Sequence, residues 1–180
     1  MKIYVNRALP MLLGATLATA ALALPSTGNA ATIPSKWKSN AAGVCQSAFS
    51  SGAGAVIRAR PLAVQNEGAA NAFVTCSLPY NDEGPEQPNT FGGMGARLVN
   101  NTPTPVVVSC TLVSGTSAAS ANYVVKETNI AANSANTMFF DTVDLPGAPA
   151  TILAPNISCS LPSGTGIIYV YYYFDRQIGA

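Results

Sequence analysis

The sequence predicts an all-β protein: a single β-sandwich, jelly-roll-like, of about nine short strands held by two disulfides. Three observations carry that expectation. A short pattern of aliphatic, hydroxyl, cysteine, hydroxyl and leucine recurs at residues 74–78, 108–112 and 157–161. Turn-forming residues break the apolar segments about every 8 to 15 positions. No long segment after residue 30 shows a helical period.

Residues 1–30 read as a secretory signal. Lys2 and Arg7 make a positive start, and 8–24 is an uncharged, mostly apolar run. Pro25 to Gly28 break the run, and Gly28-Asn29-Ala30 offers the small residues of a cleavage site. Cleavage is expected after Ala30, with Ala31 as the alternative, leaving one domain over 31–180 and no membrane span. There is no twin arginine, and no cysteine near the cut for a lipid anchor.

The strands follow in order. Residues 43–49 hold Cys45; 55–60 and 62–65 are short and separated by Pro61. The first repeat, Val74-Thr75-Cys76-Ser77-Leu78, puts an aliphatic, a cysteine and a leucine on one face and two hydroxyls on the other, because side chains alternate along a strand. Gly92-Gly93 reads as a turn before a strand at 96–100. The second repeat is Val108-Ser109-Cys110-Thr111-Leu112. Strands are expected at 121–127, 137–143 and 150–153, and the Ala-rich stretches 117–122 and 131–135 read as loops. The third repeat is Ile157-Ser158-Cys159-Ser160-Leu161, and 167–176 closes the chain. An outer-membrane barrel is the rival architecture; the expected disulfides and the absence of a terminal aromatic weigh against it.

Cys45, Cys76, Cys110 and Cys159 form an even set in an exported chain, which favours two disulfides. Their spacings of 31, 34 and 49 include no close ligand pair, so a zinc site is not expected. Four cysteines allow three pairings; the preferred one joins Cys45 to Cys76 and Cys110 to Cys159, each worth about 3.5–4 kcal/mol in the chain-entropy model.

Composition narrows function more than it names it. Charged residues are 9% of the chain, and no histidine is present. The commonest general base and the commonest transition-metal ligand are thereby missing. Without residues 1–30, seven basic and eight acidic groups remain, a net charge of −1. That balance gives no overall steering toward polyanions, and no basic face for nucleic acid is expected. No cofactor and no metal are expected.

The last strand is the most distinctive segment. Ile168, Val170, Tyr172 and Phe174 form its more apolar set and are expected to face the core. Tyr169, Tyr171 and Tyr173 then line the other face, where flat rings with polar tips suit sugar stacking or protein contact. These three tyrosines are the candidate ligand-binding residues. Trp37, between Lys36 and Lys38, either packs on the sandwich or marks a mobile arm. Asp141 and Asp144 are the alternative candidates, as paired carboxylates of a hydrolase, although turn-forming acids are common at strand ends. Asn81, Asp82, Glu83, Glu86, Gln87 and Asn89 could hold calcium in a flexible loop, but their order does not match an EF-hand and a solvated acidic loop is favoured.

The early cysteine, Val-Thr-Cys-Ser-Leu-Pro at 74–79, Val-Ser-Cys-Thr-Leu at 108–112, Ile-Ser-Cys-Ser-Leu-Pro at 157–162 and the aromatic last strand together form a recognisable order. It resembles a loose group of small exported proteins of Gram-negative bacteria. The resemblance implies export and a disulfide-linked β-rich domain and carries no activity. The expected protein is therefore a non-enzymatic binding or structural module, periplasmic or secreted, with a glycan or a protein as its partner. A secreted hydrolase using Asp141 and Asp144 is the first alternative. A surface-fibre subunit is the second; the end Gln177-Ile178-Gly179-Ala180 departs from the alternating terminal strand of chaperone-assembled pilins.

Overall fold

A computed structural model describes residues 31–48, 56–78, 91–149 and 152–178. The expected signal, the acidic loop through Asn89 and the last two residues lie outside them. The described chain folds into eleven strands in two antiparallel sheets. The first sheet contains β1 (Ala31–Asn40), β3 (Ile57–Arg60), β4 (Ala63–Asn66), β6 (Phe91–Asn100), β9 (Ser134–Asp141) and β11 (Thr165–Ile178). The second runs β2 (Cys45–Ser47), β5 (Ala72–Ser77), β10 (Asn156–Leu161), β7 (Val106–Ser114) and β8 (Asn122–Ile130).

One core fills the space between the sheets. Met94 and Leu98 of β6, Phe140 of β9, and Ile167, Val170 and Tyr172 of β11 meet Val74, Val108, Leu112, Ile157 and Leu161 of the other sheet. Burying each such side chain is worth about 1.5–3 kcal/mol against an exposed reference. The three cysteine repeats supply the second sheet as the period-2 reading requires: Cys76, Cys110 and Cys159 are buried with their aliphatic neighbours. Both disulfides lie within that sheet. Cys45 bonds Cys76 across β2 and β5, and Cys110 bonds Cys159 across β7 and β10, each pair being direct cross-strand partners.

Where the chain changes sheet, asparagine side chains hold the crossing. Between β1 and β2 stands a single helical turn, α1 (Ala41–Val44), capped by the Asn40 side chain, which accepts from the Ala42 amide at 2.9 Å. The passage from β8 to β9 is tied by buried Asn100, whose side-chain amide donates to the carbonyls of Thr104, Ile130 and Ala131. The equivalent role near β4 falls to Asn66, which donates to the carbonyls of Ala70 and Leu161. No described side chain leaves a buried polar atom without a partner.

Four local expectations are corrected. Gly92 and Gly93 lie inside β6 and form no turn. The segment expected as a strand at 150–153 is not one at Ile152 and Leu153, although Ile152 is buried. Residues 31–40, for which no strand was expected, form an edge strand that pairs with β11 over ten positions; an edge strand tolerates Pro34 because only one side of its backbone needs a ladder partner. Ile168 does not join the core. A β-bulge between Ile167 and Tyr169 shifts the phase of β11, so Thr165 and Ile167 are buried before it and Val170 and Tyr172 after it. The bulge falls where β11 exchanges its partner β4, at Gly166 and Ile167, for β1, from Tyr169 onward.

Candidate functional site

The phase change leaves Tyr169, Tyr171 and Tyr173 together on the outer face of the first sheet, as alternation predicts. Cross-strand register supplies their neighbours in three rows. Tyr169 stands between Asn40 of β1 and Arg97 of β6, with Thr137 of β9 beyond. Tyr171 stands between Lys38 and Gly95, with Phe139 beyond. Tyr173 stands between Lys36 and Gly93, with Asp141 beyond.

The glycines explain how the rings lie. A Cβ on Gly95 would stand 2.6 Å from Cζ and the hydroxyl oxygen of Tyr171, and one on Gly93 would overlap Cζ of Phe139. The rings therefore lean across β6 from both sides and occupy the space that side chains would take. Phe139 stacks on Tyr171 with centroids 6.2 Å apart and planes 8° from parallel, and meets Tyr173 edge-on at 5.9 Å. Tyr171 touches Tyr169 at 6.1 Å and Tyr173 at 5.6 Å. Four aromatic side chains thus form one continuous pavement on a paired, rigid sheet.

Two lysines of β1 sit on that pavement. Nζ of Lys38 lies 3.6 Å from the centroid of Tyr169. Nζ of Lys36 lies 4.1 Å from the centroid of Tyr171 and donates to the Tyr173 hydroxyl at 3.2 Å. Such contacts are worth about 0.5–1 kcal/mol at exposed sites. The three tyrosines are consequently not equivalent. Tyr171 is 6% exposed and Tyr173 is 40% exposed. Burial, with the neighbouring Tyr173 and Tyr169 phenols adding to it, raises the Tyr171 pKa above the ordinary value; burial alone raises that of Tyr172.

The near-zero net charge is not evenly spread. Arg58 and Arg60 pair with Glu67, and Lys126 pairs with Asp144 at 2.5 Å. Among the described residues, Lys36, Lys38 and Arg97 have no such acidic partner, and all three lie on the tyrosine face.

Asp141 and Asp144 end β9 and open a 3-10 turn (Thr142–Asp144). The Asp141 carboxylate accepts from the Thr142 amide at 2.6 Å, and the Asp144 carboxylate accepts from the Asp141 amide at 2.7 Å and from Lys126. Burial pushes the Asp144 pKa up, but the Asp141 amide and the Lys126 ammonium outweigh it, and the group is held below the ordinary carboxylate range. Both carboxylates cap the turn, and Asp144 is held ionised, the opposite of what a general acid needs. Trp37 points away from the tyrosine face: it is the partner of Tyr172 across β1 and β11, is 46% exposed, and donates to the Ser39 hydroxyl at 2.9 Å. No cluster of three or more metal-ligating side chains occurs among the described residues.

The sequence reading missed Lys36, Lys38, Arg97 and Phe139. Two signals for them were present. Lys36 and Lys38 have the spacing that puts both on one face of a strand, and Gly93 and Gly95 alternate with apolar Met94 and Ala96.

No family model matches the sequence, and no curated protein matches it. Among solved structures the chain is similar to PfGH50B, at 10% identity and a TM-score of 0.43, over 76% of this chain and 22% of that one. The chain thus spans under a quarter of that relative's length. It is also similar to a family 11 carbohydrate-binding module from Clostridium thermocellum, solved with a β-1,3-1,4-mixed-linked tetrasaccharide, at 9% identity and a TM-score of 0.36, over 82% of this chain and 89% of that one. Likeness at this level assigns no function, and the class of the protein rests on its own features: a disulfide-bonded antiparallel β-sandwich with an aromatic and cationic sheet face.

Proposed function

We propose that the protein is an exported, non-enzymatic binding module, that its ligand is a glycan, and that the ligand lies on the outer face of the six-stranded sheet. The observation that carries this reading is the pavement of Tyr169, Tyr171, Tyr173 and Phe139. Sugar rings stack on flat aromatic faces, and phenol, ammonium and guanidinium groups at the rim donate to ring hydroxyls and carboxylates. The platform is built on paired strands, so little order is lost on binding. Two disulfides support an oxidising compartment, periplasmic or outside the cell.

The test is a panel of immobilised plant, bacterial and host polysaccharides probed with the purified oxidised protein and with Tyr173→Ala. Saturable binding to a polysaccharide that the variant loses is the expected result. Wild-type protein that is folded and binds no polysaccharide, or binding that Tyr173→Ala leaves unchanged, overturns the reading.

A further inference from the structure

We propose that the glycan bound by this face is acidic, a polymer whose sugar rings carry carboxylates, and that Lys36, Lys38 and Arg97 select it. The inference rests on the glycan reading of the same face and narrows it to one chemical class.

Three observations lead there. First, ring faces that a neutral sugar would stack on are already occupied. The ammonium of Lys38 sits over Tyr169, and that of Lys36 sits over Tyr171 and bonds the Tyr173 hydroxyl. A neutral pyranose must displace both cations and returns no charge interaction for the loss. A carboxylate draws each ammonium toward itself in a charge-assisted hydrogen bond, and the ring beneath is uncovered as the lysine moves. The covering groups are thus also the binding groups, but only for an anion.

Second, charge is segregated. Arg58, Arg60 and Lys126, which lie outside the tyrosine rows, are taken up by Glu67 and Asp144. Lys36 and Lys38 are exposed on the edge strand, and Arg97 donates to Thr137 at 2.9 Å with its remaining donors uncommitted among the described contacts. Among the described residues, two acids share the face. Asp141 is at its far edge, three strands from the lysines, with its carboxylate bonded to the Thr142 amide and hydroxyl. Asp175 lies one row beyond Tyr173, opposite Pro34. Neither is in the rows that hold Lys38 and Arg97.

Third, the cations have the spacing of a repeating ligand. Lys36 and Lys38 alternate along β1, so their Cα atoms stand about 6.7 Å apart. Arg97 lies two strands away from β1, about 10 Å across the sheet. A single small anion meets one of them. A chain carrying a carboxylate on each sugar, laid across the pavement, meets two or three while its rings cover the tyrosines.

The experiment is affinity electrophoresis and calorimetry with polygalacturonate and alginate, with laminarin and dextran as neutral polymers and oligothymidylate as a polyanion without sugar carboxylates. Wild type, Lys36→Gln/Lys38→Gln, Arg97→Gln and Tyr173→Ala are compared, with near-ultraviolet circular dichroism reporting the fold of each. Expected is binding to a polyuronate and to neither neutral polymer. That binding weakens as salt rises from about 20 to 300 mM and falls at least about tenfold in the double lysine variant. Wild-type binding to a neutral polymer that the lysine variants leave intact overturns the acidic class and leaves the glycan reading standing. Binding to oligothymidylate as tight as to polyuronate overturns the class as well, since the face would then sort by charge alone. Folded protein that binds none of the polysaccharides overturns both.

Discussion

Truncating Tyr171 and truncating Tyr173 are predicted to have different consequences, although the two residues share a strand, a face and a side chain. Tyr171 is 6% exposed, stacks on Phe139, and touches Tyr169 and Tyr173. Tyr173 is 40% exposed and has two ring neighbours, Tyr171 and Phe139. Removing a fully packed aromatic ring costs about 3–5 kcal/mol. Tyr171 lies at the low end, since its roof is the flexible Lys36 side chain and the site partly collapses, so Tyr171→Ala is expected to cost about 3 kcal/mol. Tyr173→Ala loses two edge contacts and half-exposed area, about 1 kcal/mol. For a chain of this size 1 kcal/mol moves the Tm by about 2–4 °C, so the shifts are about 6–12 °C and about 2–4 °C. Thermal unfolding followed by far-ultraviolet circular dichroism, with the disulfides intact, measures both. Equal shifts, or a larger one for Tyr173→Ala, would refute the claim that Tyr171 is a packing residue. The distinction matters for function: a binding defect in Tyr171→Ala mixes lost contact with lost order, whereas one in Tyr173→Ala reports contact.

Four further outcomes follow from the same geometry. Gly95→Ala places a methyl group 2.7 Å from the Met138 carbonyl as well as against Tyr171, so it destabilises by about 1–3 kcal/mol in urea unfolding and Tyr171→Ala does not fully rescue it. Replacing Cys110 and Cys159 together by alanine opens a loop of separation 49 and costs about 4 kcal/mol; the Cys45–Cys76 pair, at separation 31, costs about 3.5 kcal/mol, both read from denaturant midpoints. Asp144 has its folded pKa held below the ordinary value, so its stabilisation is full above about pH 4 and is lost as pH falls through the folded pKa. Asp144→Asn therefore flattens the acid limb of a Tm-against-pH curve while lowering its neutral plateau. Tyr171 has its folded pKa raised, so stability is full below about pH 10 and falls as pH rises beyond it; Tyr171→Phe shows a shallower alkaline decline.

The second sheet was legible in the sequence because its information is local. In each cysteine repeat, alternate residues declare which side is buried, and Val74, Cys76, Leu112, Ile157 and Cys159 all lie in the core. The first sheet was less legible because its information is long-range. Gly93 looks like a turn residue until Phe139 is seen in the space its missing side chain leaves. Ile168 follows the apolar phase of the residues after it, and only the change of partner strand explains the bulge that removes it from the core. The tyrosine row itself was readable by alternation. Its covering was not: Lys36 meets Tyr173 from 137 residues away, through an edge strand whose polar sequence and Pro34 give no strand signal of their own. Net charge misled for a related reason, since a sum over the chain is blind to ion pairs that cancel some cations and leave others in one place.

The measurement that tests the central claim most directly is a nitrogen-15 nuclear magnetic resonance titration of the folded protein with a short oligogalacturonate. The account predicts amide shifts concentrated at residues 36–40, 93–97, 137–139 and 169–173, on the outer face of the six-stranded sheet. The other sheet turns a different surface outward, with Thr75, Thr111 and Ser158 side by side across three strands. Shifts gathered there, or at the 3-10 turn of Asp141 and Asp144, would contradict the assignment of the site.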